Sequence, residues 1–276
     1  MGGHRPELLI ERQWAMLEQK ARESERRSFF LDYDGTLAPF QTDPAKADPT
    51  AEVLLILERL CHNPANQVVI VSGRDAMTLD RWFGTLRLTK VAEHGAFISR
   101  FGEAWQALPG IDLSWKERVR SLMEDAVALY PLSSVEEKER CLVWHYRRVT
   151  GKSVDKTAHH LLQQIARAIP QTVEVMAGKK IVEVKPAFIN KGTALRMLAL
   201  EFCADFVITV GDDKTDEAMF EVSPGFTIKV GPGATAARYR ISGTRAVLQI
   251  LKRLAGIPPL AGMALWNGQV DSHTDK

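Results

Sequence analysis

The chain has 276 residues and a formal net charge of +2, and 45% of its residues are hydrophobic and 25% charged. These values are ordinary for a soluble globular protein, and they give no reason to expect a nucleic-acid or membrane partner. No apolar stretch approaches the roughly 18 residues of a membrane span, and the amino terminus lacks the apolar core of a signal peptide. We therefore expect a cytoplasmic protein that binds a small molecule.

The three cysteines, Cys61, Cys141 and Cys203, are far apart and lie in apolar segments. An odd number of widely spaced cysteines does not fit a disulfide framework. We therefore expect all three to be reduced residues of the core.

Two kinds of pattern run through most of the chain. Residues 6–27 alternate apolar and charged side chains at helical spacing, which predicts an amphipathic helix packed on the following domain. Short apolar segments bounded by turn residues predict buried strands over residues 28–31, 67–71, 90–93, 206–210 and 226–230. Helical patterns separate several of these strands, so we predict an α/β fold with a Rossmann-like parallel sheet between helices.

The middle of the chain breaks this alternation. Its patterns predict the elements of an α+β module, namely a helix (114–130), a strand (141–147), a second helix (153–169) and two strands (172–176 and 181–185). Crossover connections are normally short, so we predict that residues 109–186 form a second domain. The remaining core would comprise residues 28–108 and 187–276, preceded by the helix within residues 1–27. A lid over the site is our hypothesis for the insert, and we expect the tail from Pro258 to fray.

Two carboxylates, Asp32 and Asp34, follow the first predicted strand, and Gly35 comes directly after them. Ionised carboxylates this close repel each other unless a cation, a raised pKa or a shared substrate compensates. One carboxylate could attack a phosphorus atom and the other could carry a proton, while a divalent cation screens both. The alternative interpretation is an aspartate-rich turn without a chemical role.

Ser72, Gly73 and Arg74 follow the second predicted strand. A helix that begins here would direct backbone N–H groups and the Ser72 hydroxyl towards a phosphate. Arg74 favours this interpretation, because a cation in the first helical turn opposes the helix dipole unless an anion lies nearby. An ordinary serine N-cap is the alternative.

Lys191 is another cation predicted near a helix N-terminus. It follows Asn190, a predicted N-cap, and lies in the first turn of a helix that we expect to reach Phe202. A lysine there can hold an incoming phosphoryl group and offset the charge of Asp32. The alternative is a solvated surface lysine.

The segment after the predicted strand 206–210 is acidic, with four carboxylates in the six residues from Asp212 to Glu217. Hard oxygen ligands at the end of a strand suit Mg²⁺. An acidic first turn favoured by the helix dipole is the alternative, but it explains only two of the four carboxylates. Ligands of parallel sheets bind at the carboxyl ends of the strands, so we expect Asp32, Ser72 and Asp212 to share one site.

The order of these motifs, D-x-D-G-T, S-G-R, an isolated lysine and G-D-D-x-x-D, resembles the haloacid dehalogenase-like phosphatases. The resemblance covers the whole predicted core and implies a core fold of that type. It implies that Asp32 is the nucleophile and that Asp34 is the acid and base. It also implies that Ser72, Gly73 and Lys191 bind the phosphate.

The same resemblance implies Mg²⁺ as the cofactor. The ion would be held by Asp32, by the backbone carbonyl of Asp34 and by Asp212. Two further carboxylates, Asp213 and Asp216, would support these ligands from outside.

Four segments, at residues 31–39, 91–96, 143–147 and 211–217, look like those of the trehalose-6-phosphate phosphatases within that superfamily. In that family the insert is a cap that closes over the core and grips the sugar hydroxyls. The matching substrate-binding positions of the cap are Glu136, Lys138, Lys179 and Glu183, and Lys180 is a further candidate. A solvated charged face is the alternative for these residues.

His94 lies in one of the core motifs, near the expected cleft. Contact with the sugar and a hydrogen-bonded structural role are both open for this histidine. Neither His94 nor His145 joins a cluster of histidine and cysteine with the spacing of a zinc site.

The resemblance thus implies a Mg²⁺-dependent phosphatase that hydrolyses trehalose 6-phosphate through an aspartyl phosphate, in trehalose biosynthesis. A phosphatase of sucrose phosphate or of a glycosyl phosphoglycerate, and a phosphomutase, are enzymatic alternatives. A catalytically silent module that binds a sugar phosphate and regulates a partner synthase is a third, although all the chemical residues are present. We expect the partner to be a small sugar phosphate and the protein to be a monomer.

Overall fold

The computed structural model describes residues 6–41, 47–107, 112–178 and 180–258. Residues up to Ala107 and from Asn190 form one unit, the core unit, and residues 108–189 form another, the inserted unit. Their strands and helices confirm the predicted α/β class. Within the described residues, no helix is long and apolar enough to cross a membrane.

The strands of the described residues are, in chain order, β1 (Glu7–Leu8), β2 (Arg27–Leu31), β3 (Asn66–Val71), β4 (Thr89–Ala92), β5 (Phe97–Ser99), β6 (Gln106–Ala107), β7 (Ser134–Glu137), β8 (Leu142–His145), β9 (Val173–Gly178), β10 (Ile181–Pro186), β11 (Phe206–Gly211), β12 (Phe226–Val230) and β13 (Tyr239–Ile241). The helices are α1 (Glu11–Glu23), α2 (Ala51–His62), α3 (Ala76–Phe83), α4 (Lys116–Leu129), α5 (Lys152–Ala168), α6 (Lys191–Phe202), α7 (Glu217–Val222) and α8 (Thr244–Leu254). Short 3-10 turns at Glu93–Gly95 and Lys214–Asp216 follow β4 and β11.

The core unit contains a nine-stranded sheet in the order β1-β13-β12-β11-β2-β3-β4-β5-β6. In this order, the seven strands from β1 to β4 are parallel to one another. Strand β5 is antiparallel to β4, and β6 is antiparallel to β5. Continuous burial of strands such as β2 is typical of a parallel sheet covered on both faces. Strands β11, β2 and β3 are neighbours, in register at Val210, Leu31 and Ile70, so the loops that follow them lie side by side.

The five strands predicted for the core are all present, and none of their ends differs by more than one residue. The strand predicted over 90–93 ends at Ala92, because Glu93 begins the 3-10 turn. The sequence patterns do not predict β1, β5, β6 or β13. These strands have two or three residues each, which is too short for a periodic pattern to be recognised.

The amino-terminal helix is shorter than the prediction of residues 6–27. Residues Glu7–Leu8 form β1, the edge strand of the sheet, which pairs with β13, and Arg27 begins β2. Backbone hydrogen bonds to the sheet therefore replace helical ones at both ends of the predicted segment. The remaining helix, α1, is amphipathic as predicted and buries Trp14 and Leu17.

The inserted unit is an antiparallel sheet in the order β7-β8-β10-β9, with helices α4 and α5 packed against one face. Trp144 is fully buried in this layer and donates its indole N–H to Ser133 Oγ at 2.9 Å. The two helices and three strands predicted for the insert are present, with ends shifted by up to two residues. Strand β7 is not predicted by the sequence, since its residues are mostly exposed and lack an apolar alternation.

The opposite face of this sheet carries charged residues. Val143 is the register partner of Glu136 on one side and of Glu183 on the other. Directly opposite residues of neighbouring strands point to the same face, so both glutamates lie on the face away from Trp144.

The cysteines agree only partly with the prediction of three core residues. All three are free thiols, and Cys141 is buried while Cys61 is half-buried. Cys203 is exposed and is the C-cap of α6, with a left-handed backbone where the helix ends. The tail predicted to fray begins at Pro258, and all of it after this residue lies outside the described residues.

Candidate active site

Three buried charged side chains meet at the carboxyl ends of the central strands. The Lys191 ammonium donates to Asp32 Oδ1 at 2.6 Å and to Asp216 Oδ1 at 2.7 Å. Lys191 is 2% exposed, Asp32 4% and Asp216 0%. Burial opposes the charge of Lys191, but the carboxylates of Asp216 and Asp32 raise its pKa well above the ordinary value. Lys191 is therefore a buried ammonium shared by two carboxylates.

Helix α6 presents Lys191 because of the residues on either side of it. The Asn190 side chain accepts a hydrogen bond from the Thr193 N–H at 2.9 Å and caps the helix, as predicted. A Cβ on Gly192 would lie 2.2 Å from the Ala218 carbonyl oxygen, so glycine lets α6 approach α7 closely. The burial of Lys191 excludes the alternative of a solvated surface lysine.

Asp216 organises the acidic segment. Its Oδ2 accepts the backbone N–H groups of Asp212 at 2.9 Å and of Asp213 at 3.0 Å. Asp213 in turn caps the 3-10 turn, since its carboxylate accepts the Thr215 N–H at 2.8 Å. These local bonds explain the positions of Asp213 and Asp216, and both carboxylates hold the loop that carries Asp212.

A cluster of carboxylates could hold a cation here. Oxygens of Asp32, Asp212 and Asp216 lie within 4.8 Å of one another. A Cβ on Gly35, whose φ is +84°, would lie 2.1 Å from Asp212 Oδ2, so the glycine makes room for this carboxylate. Burial and the neighbouring carboxylates, Asp213 and Asp216, raise the pKa of Asp212 to about 6.

The charge balance of this cluster fits a divalent cation. Burial, followed by the repulsion of Asp216, raises the pKa of Asp32 well above its ordinary value. Asp32 Oδ2 is buried and accepts no hydrogen bond from the described residues. Carboxylate oxygens in a negatively charged, buried position are the ligands that hard divalent cations prefer. The described residues therefore provide a suitable cation site.

A second buried lysine contacts this cluster. Lys229 on β12 is 4% exposed, and its ammonium donates to the backbone carbonyl of Asp212. Its register partner on β11 is Gly211, the residue before the acidic segment. The motifs of the sequence do not include Lys229. The available signal was a lysine inside an otherwise buried strand, a position where an unpaired lysine is rarely found.

The Asp34 carboxylate is paired with Arg74 and does not belong to the carboxylate cluster. Arg74 donates through Nε to Oδ2 at 2.9 Å and through Nη2 to Oδ1 at 2.6 Å, which is a two-pronged arrangement. Its guanidinium lies 5.1 Å from the centre of the Trp82 ring. A role of Asp34 in cation binding would thus involve its backbone carbonyl, as the resemblance implied.

The prediction that a helix begins at Ser72 is wrong. Helix α3 begins after Asp75, whose side chain accepts both the N–H and the hydroxyl of Thr78 at 2.8 Å. Asp75 therefore caps the helix, and residues 72–74 form a loop, the 72–74 loop. Ser72 is buried, and its Oγ accepts the Arg74 N–H at 3.1 Å. Arg74 lies outside the helix, directly before its N-cap.

Among the residues predicted for the cap, Glu136 contacts the side chains of His145 and Lys138. Its Oε2 is 2.7 Å from His145 Nε2, and its Oε1 is 3.9 Å from the Lys138 ammonium. Glu183 is half-buried, and burial raises its pKa above the ordinary value. Glu136, Lys138 and Glu183 are therefore close to one another on the charged face of the inserted unit.

The other two cap candidates are not part of this group. Lys179 lies outside the described residues. The Lys180 ammonium donates to Asp155 Oδ1 at 2.6 Å, and the residue has a left-handed backbone with φ +65°. Lys180 therefore makes an exposed ion pair with α5.

Comparison with known proteins identifies the family. A family model described as trehalose-phosphatase matches residues 30–234. The chain belongs to the trehalose-phosphatase family. The matched region begins in β2 and ends after β12, so it contains all the predicted site residues of both units.

Several members of the trehalose-phosphatase family and its relatives are longer than this chain. The bifunctional trehalose-6-phosphate synthase/phosphatase of Thermoproteus tenax is 41% identical over 241 residues, which are 86% of this chain and 33% of that protein. The trehalose-phosphatase of Saccharomyces cerevisiae is 36% identical over 229 residues, or 74% of this chain and 26% of that protein. The chain thus spans a third or less of the length of these relatives.

A solved structure covers nearly the whole chain. The C-terminal domain of the C. albicans trehalose-6-phosphate phosphatase has 33% sequence identity and a TM-score of 0.82. The similarity covers 93% of this chain and 100% of that domain. This agreement supports the core of haloacid dehalogenase type with an inserted α+β unit.

Proposed function

We propose that this chain hydrolyses trehalose 6-phosphate to trehalose and phosphate, with Mg²⁺ as cofactor and an aspartyl phosphate as intermediate, in trehalose biosynthesis. The observation that carries this proposal is the buried Lys191 ammonium shared by Asp32 and Asp216. An aspartate-rich turn without a chemical role would not bring a lysine from 159 residues away into a buried bond with Asp32. The names of the relatives described above indicate the same substrate.

For the cofactor, we propose that Asp32, Asp212 and the backbone carbonyl of Asp34 hold the ion. Asp213 and Asp216 would support these ligands through the loop that carries Asp212. Mg²⁺ suits such a set because it binds through one or two carboxylates together with water and substrate phosphate. When bound, it would neutralise charge on the phosphoryl oxygens.

In the proposed reaction, the Asp32 carboxylate, which Lys191 holds at Oδ1, attacks phosphorus. The bond between phosphorus and the sugar oxygen breaks, and Asp34, which begins the step protonated, gives its proton to that oxygen and becomes a carboxylate. Water then attacks phosphorus and loses a proton to Asp34, and the bond between phosphorus and Asp32 breaks. Both carboxyl groups thereby return to their starting states.

The remaining core residues bind and orient the phosphate. We propose that Ser72, Gly73 and Lys191 contact the phosphoryl oxygens. Phosphate monoesters hydrolyse so slowly without a catalyst that the site must lower the barrier by on the order of 20 kcal/mol. Fixed charges in a buried site supply most of such a reduction. Arg74 holds Asp34 by two bonds, so Asp34 must give up one of them when it bonds to a substrate oxygen.

For sugar recognition, we propose Glu136, Lys138 and Glu183 as ligands of the sugar hydroxyls, with Lys179 and Lys180 as further candidates. Carboxylates and ammonium groups are strong hydrogen-bond partners for hydroxyls. Glu136 and Glu183 lie on one face of the inserted sheet, and the Lys138 ammonium is 3.9 Å from Glu136 Oε1. His145 would orient Glu136 through its short bond.

The test is a comparison of phosphate release from several sugar phosphates. Trehalose 6-phosphate, sucrose phosphate, a glycosyl phosphoglycerate and glucose 6-phosphate are assayed with Mg²⁺ and again with excess chelator. We expect fastest release from trehalose 6-phosphate, and loss of release with the chelator. Preference for another compound would change the substrate, and isomerised sugar phosphate without release would indicate a mutase.

A matched variant separates recognition from chemistry. Glu136→Gln should lower kcat/KM for trehalose 6-phosphate but leave hydrolysis of p-nitrophenyl phosphate, which has no sugar, nearly unchanged. If the wild type released phosphate from none of these compounds in Mg²⁺, a silent binding module would be favoured.

A further inference from the structure

Three consecutive residues after β4 have a left-handed backbone, with φ +48° at Glu93, +57° at His94 and +113° at Gly95. Glycine adopts this conformation readily, whereas it is costly for glutamate and uncommon for histidine. Such strain persists only where the surrounding structure imposes it, and it is concentrated at functional sites. The contacts of these residues, which we call the 93–95 turn, therefore identify what holds them.

One side of the 93–95 turn is bonded to the 72–74 loop. The Glu93 N–H donates to the Arg74 carbonyl and the His94 N–H donates to the Ser72 carbonyl, both at 2.9 Å. These bonds extend the pairing of β3 with β4 beyond the ends of the strands, where Ser72 N–H donates to Val91. The turn thus fixes the backbone of the loop proposed to bind phosphate.

The His94 ring lies on Gly73. A Cβ on Gly73 would lie 2.5 Å from His94 Nε2 and 2.6 Å from its Cε1, and its three nearest atoms all belong to this ring. Gly73 is not among the residues with positive φ, so its backbone does not require glycine. A side chain at this position would therefore have to displace the histidine ring, which occupies its space.

The other side of the 93–95 turn reaches the helix that presents Lys191. A Cβ on Gly95 would lie 2.8 Å from the carbonyl oxygen of Asn190, the N-cap of α6, and 3.5 Å from Ala194 Cβ. His94 is also within electrostatic range of Asp213 in the acidic segment. The turn therefore lies between the two elements proposed to bind phosphate.

We propose that His94 is a positioning residue for phosphate. Its ring on Gly73 and its left-handed backbone set the 72–74 loop and the N-terminus of α6 at the separation that a phosphoryl group needs. This inference rests on the proposed phosphatase function. Since His94 acts through the phosphate-binding elements and not through Asp32, its loss should raise KM and weaken binding of inorganic phosphate more than it lowers kcat.

A double-substitution cycle of Gly73→Ala and His94→Gly tests this directly. In the wild-type background, the methyl group of Gly73→Ala displaces the ring, so affinity for inorganic phosphate should fall by about ten- to a hundredfold. In the His94→Gly background, the methyl group enters the space that the ring occupied, so the same substitution should have little further effect. His94→Gly alone should raise KM for the phosphate ester and leave kcat nearly unchanged.

Two further variants control for folding. His94→Asn keeps a polar residue that tolerates the left-handed backbone and should recover part of the affinity for phosphate. Cys203→Gly relieves the same kind of backbone at an exposed helix end, with φ +48°, and should leave KM and phosphate affinity unchanged.

The proposal is overturned if Gly73→Ala has the same effect in both backgrounds, or if His94→Gly leaves phosphate affinity unchanged. Affinity is measured calorimetrically with inorganic phosphate in Mg²⁺, so it does not depend on turnover. If the proposed function is wrong, the wild type will release no phosphate from any sugar phosphate. The affinities of the four proteins of the double-substitution cycle for inorganic phosphate can still be measured in that case, so the two failures are distinguishable.

Discussion

Replacement of Lys191 by methionine removes the charge on which two buried carboxylates depend. The ammonium is 2.6 Å from Asp32 and 2.7 Å from Asp216, and all three residues are at most 4% exposed. Removing one partner of such a buried ion pair typically costs about 3–5 kcal/mol. We therefore expect Lys191→Met to lower the free energy of unfolding by about 3–5 kcal/mol at pH 7 and to abolish measurable phosphatase activity.

The same reasoning predicts that a second substitution restores part of this stability. In Lys191→Met with Asp216→Asn, one of the two uncompensated charges is gone, and the amide oxygen can still accept the N–H groups of Asp212 and Asp213. The double variant should be more stable than Lys191→Met by about 1–3 kcal/mol. Activity should stay absent, because the recovered stability does not replace the ammonium.

Urea unfolding followed by circular dichroism measures these free energies. Lys252→Met is the matched control, because Lys252 pairs with Glu52 at the surface, where their side chains are 28% and 49% exposed. Such surface pairs contribute about 0–1 kcal/mol. If Lys191→Met cost no more than this control, the ammonium would not be what stabilises the buried carboxylates.

Three more predictions follow from the site and the inserted unit. Burial raises the pKa of Asp212 to about 6, and a protonated carboxyl cannot bind a cation, so Mg²⁺ affinity should fall about tenfold for each pH unit below 6. A Mg²⁺ affinity that is constant from pH 5 to 7 would contradict this prediction of cation binding. Without the ion, the raised pKa of Asp212 stabilises the folded protein most below pH 3.8, the ordinary pKa of the group. This contribution to the free energy of unfolding is lost as the pH rises through 6. Gly35→Ala should weaken Mg²⁺ binding, because the new Cβ would lie 2.1 Å from Asp212 Oδ2. Gly102 is the control: its φ of +79° is similar, but a Cβ there would have no atom within 4 Å, so Gly102→Ala should lower stability without changing Mg²⁺ binding. Equal Mg²⁺ affinities of the two variants in calorimetry would exclude a role of Gly35 in the cation site. Trp144→Ala should lower the stability of the inserted unit by about 3–5 kcal/mol in a denaturant titration, and a change below about 1 kcal/mol would mean that the cavity is refilled.

The sequence was most informative where several polar residues follow buried strands. Asp32, Ser72 and Asp212 could be expected at one edge of the sheet, because parallel strands present their carboxyl ends together. Lys191 could be expected nearby from its position after an N-cap. These predictions depend on local patterns and on one general property of parallel sheets.

Other features depend on contacts that local patterns do not contain. The bond between Asp34 and Arg74 joins residues 40 positions apart and requires β2 and β3 to be neighbours. The start of α3 depends on competition between Ser72 and Asp75 as N-caps, and Asp75 has the better hydrogen bonds. Lys229 lies in a strand and has no motif.

The shortest strands were missed for a different reason. Strands β1 and β13 are two and three residues long and pair with their neighbours through backbone bonds. Backbone hydrogen bonds do not require particular side chains, so the sequence has little signal for them. The same holds for β7 of the inserted unit, whose residues are mostly exposed.

Phosphate release from trehalose 6-phosphate by Asp32→Asn, compared with the wild type in Mg²⁺, tests the proposed nucleophile most directly. The substitution keeps the shape of the side chain but removes the attacking carboxylate. We predict rapid release by the wild type and none above background by the variant, which should show a wild-type circular dichroism spectrum. Full activity of folded Asp32→Asn would contradict the aspartyl-phosphate mechanism.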